Sequence, residues 1–232
     1  MLELDKIYLG DCNDLILQLD DKSVDYCITS PPYNRDKLDK YDHYYDALGK
    51  DDYLQMLINI TDQMLRVTRN HIFFNIQQTY CNKEQVFQYI GHYADKIKEL
   101  IVWEKYNPRP ACTITRSVTN AYEFIIVLGD DYLKTNGDHV KNTIHTNVYN
   151  NKIKSHHAVM HPCVCDWMID NFTSAGDVIL DPFSGTGTTA ICARNKNRHF
   201  IGFELSEEYW KLSNERLAGE YNYGKETAKK LF

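Results

Sequence analysis

The chain has no long apolar run, few prolines and glycines, no paired-cysteine motif and no excess of positive charge. Its densest apolar stretch, Phe124-Ile125-Ile126-Val127-Leu128, is far short of the roughly 20 residues that cross a bilayer as a helix. The first residues, Met1-Leu2-Glu3-Leu4-Asp5-Lys6, lack the basic start and apolar core of a secretory signal. A cytoplasmic protein with no membrane partner is expected. Cys12, Cys27, Cys81, Cys112, Cys163, Cys165 and Cys192 are odd in number and contain no CxxC pair. That pattern points to reduced thiols, and away from both a disulfide framework and a zinc ribbon. Six prolines and 11 glycines in 232 residues exclude collagen-like and low-complexity classes.

What is present is an ordinary globular composition, 43% hydrophobic and 25% charged, in a length that one α/β domain can fill. A single domain over 1–232 is expected. The formal net charge of -6 says little about nucleic acid, because cations can cluster on one face of an acidic protein. Residues 132–160 carry Lys134, Lys141, Lys152 and Lys154 against Asp138 alone, together with several histidines. By composition this is a solvated loop, unless a site lies beside it.

Short apolar runs alternate with longer amphipathic ones, the pattern of βαβ units and a mostly parallel sheet. Strands are predicted at 7–9, 24–28, 71–76, 99–104, 122–128, 178–181 and 199–204. Helices are predicted at 13–19, 52–67, 83–94 and 163–172, after the glycine turn at 185–187, and at 206–219. A charged, tyrosine-rich loop fills 36–52, and a second loop region comes after the strand at 122–128.

Two motifs sit at predicted strand ends. Asp181-Pro182-Phe183-Ser184-Gly185-Thr186-Gly187-Thr188-Thr189 joins a buried strand to a helix, where glycines let a ligand approach backbone and helix-start N–H groups. Gly185, Gly187 and Ala190 satisfy G-x-G-x-x-A, and Glu204 ends the next strand, where a ribose diol could be held. Both features suit any adenosine cofactor, NAD included, while the absence of Lys-Ser/Thr after the glycines excludes a Walker loop. Ser30-Pro31-Pro32-Tyr33 ends another strand, at the side of the sheet where α/β proteins place their ligands. Alone, either motif could be mere chain geometry, a tight turn or a rigid terminator.

Together they resemble the DNA amino-methyltransferases of the N4-cytosine and N6-adenine family. In that family an S/D/N-P-P-Y/F/W tetrapeptide does the chemistry and an F-x-G-x-G loop holds S-adenosyl-L-methionine. The order here, tetrapeptide first and cofactor loop last, is similar to the family's β arrangement. It implies a Rossmann-like methyltransferase fold with a mostly parallel, circularly permuted seven-stranded sheet. The resemblance makes Ser30, Pro31, Pro32 and Tyr33 the catalytic candidates. Its cofactor candidates are Asp11, Cys12, His157, Asp181, Phe183, Ser184, Gly185, Thr186, Gly187, Thr188, Glu204 and Leu205. Leu9-Gly10-Asp11-Cys12 resembles the adenine-contacting segment. His157 to Pro162 is similar to the H-P-x-x-x-P-like element, with Ala158 in place of its first proline. Trp103 to Asn107 and Thr119-Asn120-Ala121-Tyr122-Glu123 fit the strands beside the target pocket.

The residue types match the chemistry the resemblance implies. The lone pair of an exocyclic base amine is delocalised into the ring, so it attacks a methyl group poorly. If Ser30 Oγ and the Pro31 carbonyl accept the two amine hydrogens, the nitrogen can pyramidalise and aim its lone pair. The prolines fix the carbonyl direction, and Tyr33 offers a ring on which an extruded base could stack. In the resembled family, serine at this place in the tetrapeptide goes more often with cytosine N4 than with adenine N6 methylation, so the resemblance implies cytosine N4. Double-stranded DNA is the expected partner, contacted by Arg35, Lys134, Lys141, Lys152 and Lys154, with a compact recognition insertion at about 129–155. A homodimer and a cognate restriction endonuclease are further partners of the kind the family uses. Pro162-Cys163 opens an apolar helix and reads as a core thiol, and the His/Cys spacing around it fits no zinc pattern. Two rivals remain: a nicotinamide oxidoreductase using the same glycines, and a silent nucleic-acid-binding module. The oxidoreductase leaves the tetrapeptide unexplained and has too little chain after the glycine loop for a second nucleotide half.

Overall fold

A computed structural model describes residues 2–34, 47–108, 118–147 and 160–219. Eight strands form one sheet: β1 (Lys6–Leu9), β2 (Tyr26–Thr29), β3 (His71–Ile76), β4 (Ile97–Lys105), β5 (Tyr122–Gly129), β6 (Thr143–Thr146), β7 (Val178–Asp181) and β8 (His199–Glu204). Their spatial order is β1-β8-β7-β2-β3-β5-β4-β6. Among these described strands β5 alone runs against the rest, pairing antiparallel with β3 and β4. The mostly parallel α/β fold expected from the sequence is present, with one strand more than the seven predicted.

That extra strand, β6, lies inside the stretch read as a loop. Thr143-Ile144-His145-Thr146 alternates exposed and buried side chains, but only Ile144 is apolar, so its periodicity is too short to read. It is a strand because β4 offers an open edge, with which it pairs in parallel from Val102↔Thr143 to Lys105↔Thr146.

Helices cover both faces, which is why β3 and most of β5 are apolar runs without alternation. On one face α2 (Lys50–Val67) and α3 (Lys83–His92) bury Leu57, Ile60, Met64, Val86 and Tyr89 against Ile72, Phe74, Ile126 and Leu128. On the other, α4 (Pro162–Phe172) and α5 (Thr188–Asn195) pack Val164, Met168, Ile169 and Ala193 against Phe73, Ile125 and Val127. Successive strand residues thus serve opposite cores. The predicted first helix is shorter than expected: α1 (Cys12–Leu15) gives way to a 3-10 turn over Ile16–Gln18. The last helix is α6 (Glu207–Ala218). Among the described residues, no helix is long and apolar enough to cross a membrane.

The central pair, β2 and β7, decides where a ligand can sit. They are parallel neighbours, with Tyr26↔Ile179 and Cys27↔Leu180 in register, yet lie 152 positions apart in the chain at the Thr29–Asp181 contact. The chain turns outward in opposite directions from them, to β8 and β1 on one side and to β3 on the other. Such a reversal opens a crevice at the carboxyl ends of the strands.

Candidate active site

Both sequence motifs meet in that crevice. Residues 30–33 continue from β2 and residues 182–187 from β7. Thr29 Oγ1 donates to Asp181 Oδ1 at 2.7 Å across the junction, and the Phe183 N–H donates to the same oxygen at 3.1 Å. Asp181 is fully buried, and burial holds its carboxyl above the usual range despite these donors.

The glycine loop is pinned from several sides. Ser184 N–H donates to Phe203 O at 2.8 Å, Gly185 N–H to Glu204 Oε2 at 2.7 Å, and Gly187 N–H to Ser184 O at 2.8 Å. Arg216 of α6 donates to Thr186 O. Gly185 and Gly187 have φ of 51° and 79°, the left-handed region that glycine enters without strain. A side chain at Gly187 would not point into the cradle. Its Cβ would lie 3.0 Å from Ser213 Cβ and 3.3 Å from Ile7 Cδ1, so this glycine lets the loop lie against α6 and β1. Glu204 takes the Ser206 N–H on its other oxygen at 2.8 Å, and burial raises its carboxyl too. Beside it, Gly10 N–H donates to Glu204 O at 2.9 Å, bringing the end of β1 alongside. Asp11 caps α1 by accepting from Asn13 N–H at 2.8 Å. Burial pushes the adjacent Cys12 thiol up to about 12.

The tetrapeptide is held as firmly. Tyr53 of α2 donates to Pro32 O at 2.8 Å, and Asn82 Nδ2 to Tyr33 O at 2.8 Å. Ser30 Oγ and the Tyr33 hydroxyl are 2.8 Å apart. Tyr33 also donates to Glu123 Oε2 at 2.9 Å, while Asn75 Nδ2 reaches the Tyr33 hydroxyl at 3.0 Å and Glu123 Oε2 at 2.9 Å. Lys105 forms an ion pair with Glu123 Oε1 and lies 4.7 Å over the Trp103 ring. The Tyr33 ring is 8% exposed and belongs to the core, so it is not the open stacking platform expected of it. Its hydroxyl carries the polar contacts.

The remaining candidates divide. Thr188 begins α5 and is buried, and Leu205 is exposed beside Glu204. Arg35, Lys152, Lys154 and His157 lie outside the described residues. The described residues bordering those segments, Asn34 after β2 and Asn147 after β6, stand at the same edge as Ser30. Lys134 does not. From Gly129 the chain crosses the opposite edge of the sheet, where Asn136 Nδ2 donates to Asp170 O and Thr173 O at the end of α4. Lys134 sits on that crossing, whereas Lys141 lies two residues before Thr143, which pairs with Val102 and so stands level with Phe124 and Ile76 at the carboxyl end of β3, four strands across the sheet from β2. Lys134 therefore lies at the edge opposite Ser30, while Lys141 lies toward the ligand-side edge, separated from Ser30 by the width of the intervening strands.

Asn75 and Gly202 escaped the sequence reading as site residues, and Glu123 was read only as part of a strand beside the target pocket. Asn75 and Glu123 are a polar and a charged residue inside otherwise apolar, buried strands, which is a usable signal. Gly202 of β8 is another: a Cβ there would come within 2.8 Å of Ser184 Oγ, so its lack of a side chain lets the cradle close on β8. His161 caps α4, its Nδ1 accepting from Cys163 N–H at 3.1 Å. Burial, helped by the Lys105 charge, depresses it to about 4.

The family model described as DNA methylase matches residues 24–215 of this chain, a span that holds both motifs. The chain belongs to the N6/N4 DNA methylase family. The methylase is 28% identical to the type II methyltransferase M.BglII of Bacillus subtilis over 94% of this chain and 70% of that one. It is 29% identical to M2.MboI of Moraxella bovis over 90% and 86%. Among solved structures, the cytosine-N4-specific PvuII DNA methyltransferase superposes with a TM-score of 0.78 at 18% identity, covering 93% of this chain and 86% of that one. The complex of M1.HpyAVI with S-adenosylmethionine superposes at 0.68, with 22% identity over 91% and 98%. At these identities the structures establish the fold of the methylase, a Rossmann-like methyltransferase sheet.

Proposed function

We propose that the methylase moves a methyl group from S-adenosyl-L-methionine to the exocyclic amine of a base turned out of duplex DNA, with cytosine N4 favoured over adenine N6. The observation that supports this most is the junction of two strand ends. The tetrapeptide and the glycine cradle leave adjacent strands and are tied by the 2.7 Å bond from Thr29 to Asp181.

The residues present suit the cofactor. Asp181 is buried and Glu204 partly buried, the charge of each is disfavoured as the protein stands, and an ammonium group near one and a ribose diol near the other would offset that cost. Phe183, Ser184, Gly185, Thr186 and Thr188 would line the cradle, with Asp11, Cys12, Leu205 and His157 around the adenosine. Bound there, the cofactor supplies a methyl group on a positively charged sulfur. Ser30 Oγ and the Pro31 carbonyl would accept the amine hydrogens and hold the nitrogen pyramidal. Asp181 and Glu204 orient the donor, and Tyr53 and Asn82 keep the tetrapeptide carbonyls from turning. Arg35, Lys141, Lys152 and Lys154 keep their proposed role on the duplex, whereas the placement of Lys134 at the opposite edge argues against one for it.

The test is methyl transfer from labelled S-adenosyl-L-methionine to unmethylated plasmid DNA, with nucleoside mass spectrometry of the product. N4-methylcytosine is expected, and Ser30→Ala should lower kcat by about 100-fold, the scale of losing one preorganised hydrogen-bond partner at a reacting group. N6-methyladenine as sole product would overturn the choice of base. No transfer of label would overturn the reaction itself.

A further inference from the structure

A buried polar cluster stands behind the tetrapeptide, contributed by three strands: Asn75 from β3, Lys105 from β4 and Glu123 from β5. We infer that Glu123 is a positioning residue, which fixes the Ser30 hydroxyl as a hydrogen-bond acceptor toward the target amine by holding the Tyr33 hydroxyl proton. This role rests on the amine-methylation reading above and adds a residue that reading does not use.

Counting protons sets the direction of each bond. Glu123 is 4% exposed and paired with Lys105, and an ionised carboxylate only accepts. Tyr33 has a single hydroxyl proton, which goes to Glu123 Oε2 at 2.9 Å. At the 2.8 Å contact between Ser30 Oγ and the Tyr33 hydroxyl, Tyr33 must therefore accept and Ser30 must donate. Asn75 Nδ2, 3.0 Å from the Tyr33 hydroxyl and 3.4 Å from Ser30 Oγ, is a donor and offers the serine proton no other destination. With its proton committed to Tyr33, Ser30 can present only lone pairs to an incoming group.

The direction matters for the chemistry. A freely rotating hydroxyl could donate to the ring nitrogen beside the exocyclic amine and hold the base without drawing on the amine hydrogens. A hydroxyl whose proton points away must accept an amine N–H, which is the contact that favours pyramidal nitrogen. The charged end of the chain strengthens it, because hydrogen bonds to ionised groups are stronger and each bond in a chain polarises the next. Lys105 and Asn75 hold the carboxylate in place.

The experiment compares Tyr33→Phe, Glu123→Gln and the double variant. Single-turnover methyl transfer to unmethylated plasmid DNA is measured alongside KM for that DNA and S-adenosyl-L-methionine affinity by calorimetry. Each single change should lower the transfer rate by roughly 10- to 100-fold, with KM and cofactor affinity within about twofold of the parent. The double variant should be no slower than the worse single, because both changes cut the same chain. An unchanged rate in Tyr33→Phe, or losses that multiply in the double variant, would overturn the inference. If Glu123→Gln does not fold, the Tyr33→Phe rate alone decides. A parent protein that transfers no methyl at all would instead sink the amine-methylation reading, and this inference with it.

Discussion

Asp181 shows how a single side chain trades stability for binding. Its Oδ1 accepts from Thr29 and from the Phe183 N–H, contacts an asparagine oxygen could keep, while burial disfavours the charge that asparagine would lack. Asp181→Asn is therefore expected to leave stability unchanged or raise it by about 1 kcal/mol, because replacing a buried charge by a neutral isostere removes a desolvation cost. Cofactor affinity should fall by at least roughly tenfold, as a cationic amino group loses its partner. Denaturant unfolding and calorimetry on the same variant check both halves. Among single residues the sequence was informative wherever a residue type was unusual for its place: Ser30 before two prolines, and an acidic residue ending β8. It pointed to Tyr33 for its aromatic ring, as a stacking surface, and not for its hydroxyl. The structure gives it a hydroxyl role because the partners, Asn75 and Glu123, come from strands that only the sheet brings together.

Among the elements, the glycine loop depends on what packs against it as much as on its own sequence. Gly202 lies in β8 with ordinary strand geometry, so alanine costs the strand itself little, yet the new Cβ would sit 2.8 Å from Ser184 Oγ and 3.0 Å from Ile7 Cγ1. The loop must shift. Gly202→Ala should weaken cofactor binding by roughly tenfold or more without unfolding the protein, and adding Ser184→Gly should restore part of that loss, a non-additive pair as expected of touching residues. Calorimetry of the three variants tests this, and equal affinities would show the loop to be independent of β8. The strands β3 and β5 were legible because strands covered on both faces read as continuous apolar runs. The strand β6 was not, since its identity comes from the free edge of β4, and with it went the placement of Lys134.

For the molecule as a unit, buried groups set the direction of the pH dependence. His161 is depressed to about 4 and His71 is also lowered, in both cases chiefly by burial. The unfolded chain binds protons at these histidines near pH 6.5 while the folded chain does not, so their contribution to stability is complete above that pH and is lost as pH falls from about 6.5 toward 4. Asp181 and Glu204, raised by burial, act with the opposite sign: their cost grows as pH rises through the carboxylate range. His161→Asn keeps an oxygen that can cap α4 and should flatten the fall between pH 6.5 and 4.5 by on the order of 2 kcal/mol, read from denaturant midpoints. An unaltered slope would mean that His161 titrates normally.

The α/β class, the two motifs at strand ends and the family they belong to were legible in the amino-acid order alone, because these rest on local periodicity and on residues contiguous in the chain. Folding in three dimensions was needed to make β2 and β7 neighbours, to stand Glu123 behind Ser30, and to carry Lys134 away from that edge. Each of those is a relation across long stretches of chain, set by sheet order, and no local pattern of residues encodes sheet order.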